Sequence, residues 1–298
     1  MEKQGHLYKK RQHSINVAAT VFLVPTIVIL IVYIFYPIFQ SFHFSFYNWN
    51  GISTNRIPSG WSNWISLLHD TSFWIAFRNN IIVMFLSILL QIPIGLLEAT
   101  FLEFSKHRNI IFKIVWFIPL LMSSVAIGFL FRYALATGDG IVTSISTLLG
   151  GKSVDLLGNP RTALVTVIFV IAWQFTPFYM VYCRAAYTNI DSDIYEAALV
   201  DGSTRGKYFR YVALPLLAPS LKTAAIMSMV GSLNYFDLIY VMTDGGPGTS
   251  TELMATYMYK NSFEYFKMGY GSTIACGMFI LISSIALVTL KLFDRRED

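Results

Sequence analysis

Six apolar runs recur along the chain, near residues 17–39, 79–101, 110–132, 162–183, 220–242 and 272–293. A helix needs about 20 residues to cross a hydrocarbon core of about 30 Å, and each run meets that length. Only 13% of the residues are charged while 55% are hydrophobic, against roughly 25% charged in an ordinary soluble domain. In lipid every backbone polar group must be satisfied inside its own segment, which favours helices. The expected fold class is therefore an all-α integral membrane protein with six transmembrane helices. The first run, Val17 to Phe39, follows Lys9, Lys10 and Arg11 as the core of a signal peptide would. It is too long for that role, and Tyr36, Pro37 and Phe39 stand where a small-residue cleavage site would be. It reads as a retained span.

Six spans put both termini on one side, and the lysines and arginines decide which. With the N-terminus inside, the inner segments carry Lys3, Lys9, Lys10, Arg11, Lys106, Arg108, Lys113, Arg184, Arg205, Lys207, Arg210, Lys222, Lys291, Arg295 and Arg296, fifteen of the 22 basic residues. The N-in, C-in orientation follows, and with it a multi-pass cell-membrane location with both termini cytoplasmic. The net charge of +5 largely reflects this bias. Basic residues scattered over four segments make a poor phosphate-tracking stripe, so no nucleic-acid partner is expected, whereas membrane lipid is.

Catalytic and metal chemistry find little support. Cys183 and Cys276 both fall in apolar runs, and two isolated thiols suit neither a disulfide framework nor a metal site. Gly150, Gly151, Lys152 and Ser153 imitate the end of a phosphate-binding loop, but Ser146 stands where its first glycine belongs. No catalytic residue is assigned. The outer loop at 40–75 holds Trp49, Trp61, Trp64 and Trp74, expected as interfacial anchors. Pro177 lies among Trp173, Gln174, Thr176 and Tyr179, an unusually polar mid-span where a kink would open toward a cavity.

The inner segment at 187–219 is soluble in character. Asp193 and Glu196 have the spacing of a capping box, Ala197, Ala198 and Leu199 favour helix, and Gly202 suits a left-handed stop. Ser203 then offers a cap for a second, basic amphipathic stretch containing Tyr208, Phe209, Val212 and Ala213. Such a stretch would lie on the membrane surface, with Pro215 and Pro219 redirecting the chain into the fifth span. An ordinary amphipathic loop fits the same spacing. Glu196, Ala197, Ala198, Gly202, Val212, Leu214 and Pro215, however, repeat a longer pattern. This pattern resembles the EAA motif of permease subunits of bacterial ABC importers. Ser45 to Gly51, Asp201 before Gly202, and Phe236 to Thr251 resemble the carbohydrate branch, including the larger maltose permease subunit and the glycerol-phosphate, lactose and multiple-sugar permeases.

The resemblance implies a type I ABC importer permease fold over residues 17–293, with short tails at 1–16 and 294–298. It implies that the 187–219 loop carries a cytoplasmic coupling helix that docks in a separate ATPase through Glu196, Ala197, Ala198, Asp201 and Gly202. It further implies a second homologous permease, two ATPase subunits that hold the ATP and magnesium, and an extracellular sugar-binding protein. The permease itself would carry no cofactor and do no covalent chemistry. Sugar contacts carried over onto matching positions are Trp173, Gln174, Phe175 and Phe178 on the fourth span, and Ser228, Ser232 and Tyr235 on the fifth. Ile171 and Gly231 match positions of the same set without offering a hydrogen-bonding side chain. Ser228 and Ser232 suit close helix packing equally well, and Asn234 and Asp237 suit capping or gating as well as substrate contact. An ion-coupled sugar transporter is the alternative, disfavoured because no Asp, Glu, Lys or Arg lies in the middle of a run.

Overall fold

The structure is a computed structural model that describes residues 20–105 and 110–294. The proposed N-terminal tail, the proposed C-terminal tail except Asp294, the first residues of the first run, and Lys3, Lys9, Lys10, Arg11, Lys106, Arg108, Arg295 and Arg296 lie outside the described residues. In chain order the elements are α1 (Thr20–Phe44), β1 (Tyr47–Asn48), β2 (Ile57–Pro58), α2 (Ser62–His69), α3 (Thr71–Phe104), α4 (Ile110–Leu121), α5 (Ser124–Ala134), α6 (Ile141–Leu148), α7 (Ala163–Tyr187), α8 (Ser192–Val200), α9 (Arg205–Leu233), α10 (Asp237–Thr243), α11 (Met254–Tyr259) and α12 (Met268–Asp294). Among the described residues five helices are long and apolar enough to cross a membrane, or six if the bent pair α4 and α5 is one span. Contacts divide the chain into two units, one up to residue 68 with 261–276, the other 69–260 with the residues from 277 on.

In the first unit, α1 carries a π turn at Ile31–Phe35, and its most apolar window has no buried residue. The following loop departs from a purely helical expectation. The Asn50 carboxamide oxygen accepts from the Ile52 and Ser53 backbone N–H groups, and Gly51 adopts φ +87°, which folds the chain back so that β1 and β2 pair antiparallel. Arg56 lies over the rings of Phe44 and Trp49, 4.8 and 4.6 Å from their centroids, while Phe46, Trp61 and Trp64 pack together. Asn63 donates to the Ser45 and Tyr47 carbonyls, and Thr273 to the Ser45 carbonyl. A Cβ on Gly269 would collide with the Tyr47 carbonyl, so the start of α12 requires glycine there.

The second unit is built on α3 and α7. Asp70 caps α3 by accepting from the Ser72 and Phe73 backbone N–H groups. A Cβ on Gly95 would lie 2.8 Å from the Met180 backbone nitrogen, and Thr100 shares a 2.8 Å hydrogen bond with the Tyr187 hydroxyl. Those two contacts advance together along both helices, so α3 and α7 run in the same direction. The contacts of α9 run the other way, since Leu233 meets Asn80 while Ser228 meets Gln91 further along α3.

Between α3 and α7 the chain returns through α4 and α5, which meet at 96°. The sequence suggests one span over 110–132, with Pro119 a packing or kink position inside it. Pro119 near the end of α4 cannot donate a backbone hydrogen bond, and Ser123, with extended ψ of 133°, starts a new helix. The fifth span also differs from expectation. It begins at Arg205 rather than near 220, stops at Leu233, and resumes as the short α10 after a break at 234–236. The basic stretch is therefore the first turns of the span and not a separate surface helix. A π turn at Phe209–Ala213 precedes Pro215, and this looser winding accommodates the proline without ending the helix. Pro177 likewise lies inside an uninterrupted α7.

Candidate functional site

The soluble-looking loop folds as a rooted peg. Asp191, with extended ψ of 135°, caps α8 by accepting from the Asp193 backbone N–H at 3.1 Å. Asp193, the cap suggested by spacing, is already helical in the first turn, so no capping box with Glu196 forms. At the other end Gly202 adopts φ +77°, with its N–H bonded to the Leu199 carbonyl at 3.0 Å and the Ser203 N–H to the Ala198 carbonyl at 2.9 Å. This is a full Schellman closure, which needs a left-handed residue at that position. Thr204, rather than Ser203, caps α9 by accepting from the Lys207 N–H.

Helical spacing gives α8 two faces. Ala198 is buried in a cluster with Leu96, Ala99, Cys183, Tyr187, Tyr208 and Leu217, with Tyr195 packed against it. The helix is thus anchored on α3, α7 and α9 together. Glu196, Ala197, Asp201 and Gly202 are exposed, and so are the apolar Leu199 and Val200, the latter 88% exposed. Of the two alanines in the motif, Ala197 belongs to the free face and Ala198 to the root.

The sugar-contact candidates divide between two faces of α7. Phe175 packs on Tyr235, with ring centroids 5.5 Å apart. Ser228 is buried and donates to the Gln91 amide oxygen at 3.2 Å, while the Gln91 amide nitrogen donates to the Tyr235 hydroxyl at 3.5 Å. The Ser232 hydroxyl is buried and spent on the Ser228 carbonyl at 2.6 Å. Gln91, fully buried on α3, thus joins two candidates and was not singled out by sequence; an amide inside an apolar run was the available signal. Gln174 is buried and donates to the Ser124 hydroxyl at 3.1 Å, and its amide oxygen has no partner among the described residues. Trp173 and Phe178 are partly exposed. Trp173 packs edge-on against Phe131 in an apolar groove of about 650 Å³ between α5 and α7. Ile171 is fully buried in the core, and Gly231 faces open space.

Two further buried polar features escaped the sequence. Glu98 on α3 is 9% exposed beside the Trp116 indole, and one carboxylate oxygen has no hydrogen-bond partner among the described residues. In the segment after α10, Lys260 pairs with buried Glu252 at 2.9 Å and donates to the Asp244 carbonyl at 2.7 Å. Burial opposes the Lys260 charge, but the Glu252 hydrogen bond and the charges of Glu252 and Asp244 outweigh it and raise its pKa. Gly245 is required beside this pair, because its φ is +74° and a Cβ would strike the Glu252 carboxylate. Asn79 donates to the Thr249, Ser250 and Glu252 carbonyls, and Asn80 bridges the Leu233 carbonyl and the Met254 N–H.

Residues 91–298 match the family model of the binding-protein-dependent transport system inner membrane component. The chain belongs to that family. It is 30% identical to the lactose transport system permease protein LacF of Rhizobium radiobacter over 97% of this chain and 96% of that protein. It is 31% identical to the trehalose/maltose transport system permease protein MalF of Thermococcus litoralis over 93% of each. The fold matches a chain in the crystal structure of a bacterial ABC transporter that imports the acidic polysaccharide alginate, with a TM-score of 0.82, 20% identity and coverage of 97% and 99%.

Proposed function

We propose that this chain is the transmembrane permease subunit of an ATP-driven importer that takes up a sugar or oligosaccharide delivered by an extracellular binding protein. The observation that carries the energy-coupling part is α8, a short helix buried at its root and bare on its outer face. Exposed Leu199 and Val200 beside Glu196 and Ala197 give that face apolar and charged groups together, a surface suited to a protein cleft. Separate ATPase subunits grip this peg through exposed Glu196, Ala197, Asp201 and Gly202, while Ala198, expected from the motif to share that contact, is buried and holds the root. A second homologous permease completes the pathway. The family's dependence on a binding protein and the sugar relatives support the substrate class.

The bent pair counts as the third of six crossings, because α3 and α7 run in the same direction and the chain must return between them. Both termini then lie in the cytoplasm, with the domain over 17–293. Substrate passes beside Trp173, Gln174, Phe175, Phe178, Ser228, Ser232 and Tyr235, where hydroxyls and amides exchange bonds with the sugar and aromatic faces stack on it. Closure of the ATPases favours one state of the permease only through a difference in affinity for the two. ATP and magnesium stay with the partners.

The test is uptake by the whole importer in proteoliposomes. Uptake is expected to stop on ATP depletion and to survive an uncoupler; the reverse result identifies an ion-coupled transporter. Gly202→Pro and Glu196→Lys are expected to abolish uptake while leaving the chain in the membrane. Normal uptake by a well-expressed Gly202→Pro variant would refute the coupling role.

A further inference from the structure

Behind α8 lies a cleft of about 270 Å³ that the coupling role leaves unused. Its aromatic walls include Phe104 of α3, Tyr187 of α7, Tyr195 of α8 and Tyr208 of α9, and three of these rings pack on one another. Their ring centroids stand 6.1 Å apart for Phe104 and Tyr195, 6.1 Å for Phe104 and Tyr208, and 4.8 Å for Tyr195 and Tyr208. Among the described residues, exposed Glu103 and Asp191 supply two carboxylates to the lining, against the one guanidinium of Arg205, 5.8 Å from the Phe104 ring centroid. Converging aromatic rings with an excess of negative charge attract a cation, because each ring face is electron-rich and each carboxylate adds to the same field.

We propose that this cleft receives a basic side chain, arginine or lysine, from the ATPase subunit that grips α8. The inference rests on the coupling role proposed above. Tyr195 is the neighbour in sequence of Glu196, so the cleft's wall is continuous with the bare face of the helix, and a partner seated on that face stands at the cleft. The incoming cation stacks on Tyr195 and Phe104 while Glu103 and Asp191 balance its charge. Because α3, α8 and α9 each contribute a wall, such a contact grips the peg and the spans at once.

The experiment uses the complete permease pair in nanodiscs and measures binding of the ATPase subunits across a salt series. Glu103 is exposed, so Glu103→Lys is tolerated by the fold. It is expected to weaken ATPase binding about tenfold at roughly 0.1 M salt, with the loss shrinking as salt screens the charges. Tyr195→Leu is expected to weaken binding severalfold with the salt dependence retained. Failure of the unsubstituted pair to bind any ATPase subunit would defeat the coupling role itself. ATPase binding by Glu103→Lys with unchanged affinity and salt dependence would overturn the cleft proposal while leaving the coupling role intact.

Discussion

Glycines at 202 and 95 are required for opposite reasons, and their variants should fail differently. Gly202 faces open space but holds φ +77°, so a side chain meets conformational strain of about 1–2 kcal/mol and no collision. Gly202→Asn is expected to transport better than Gly202→Ala, because asparagine tolerates the left-handed region, and ATP-driven uptake at matched expression measures the order. Gly95 has ordinary backbone but no room beside the Met180 nitrogen, so Gly95→Leu should prevent folded protein from accumulating in the membrane. Gln91→Leu is expected to raise the half-saturating substrate concentration severalfold with little loss of expression, since it unties Ser228 and Tyr235 together. Gly202 was legible because a glycine after a run of helix formers is a local signal. The role of Gln91 was not, because its partner Ser228 lies 137 positions away and spacing carries no information about that meeting.

At the scale of elements, long helices were easier to read than their ends and breaks. The apolar runs marked the crossings, yet Asp191 won the cap of α8 over Asp193 because only it has extended backbone. The continuity of α9 through Pro215 depends on a π turn that no composition reveals. The turn after α10 makes its own prediction. Lys260→Met leaves Glu252, 4% exposed, as a buried charge without its cation, and should cost about 3–5 kcal/mol of stability. Adding Glu252→Gln should recover much of that loss in a thermal melt. The sign with pH also follows. Folding raises the Lys260 pKa above the usual lysine value of 10.5, so its contribution is complete below that pH and disappears as pH rises through the folded value. Melting temperature should therefore fall more steeply at strongly alkaline pH in the unsubstituted protein than in the double variant.

For the whole molecule, the proposed orientation is open to direct labelling. Val200 is 88% exposed on α8 and Ile52 is 75% exposed in the loop after α1. With six crossings and both termini inside, a membrane-impermeant maleimide added to intact cells should label Ile52→Cys and spare Val200→Cys until the membrane is opened. Labelling of both at equal rates in sealed cells would refute the orientation. The long apolar helices were legible from the apolar runs, whereas the 96° bend between α4 and α5 was not, because prolines and serines also occur in helices that stay nearly straight. That bend bears on how the chain is made. The 12 residues of α4 and the 11 of α5 reach only about 18 and 17 Å, so neither half spans about 30 Å of hydrocarbon by itself. On the proposed six-crossing path, the two enter the membrane as one hydrophobic segment while α7, which packs against both, is still untranslated. The bend then belongs to a later stage of biogenesis, when the next helix arrives and gives each half something to lean on.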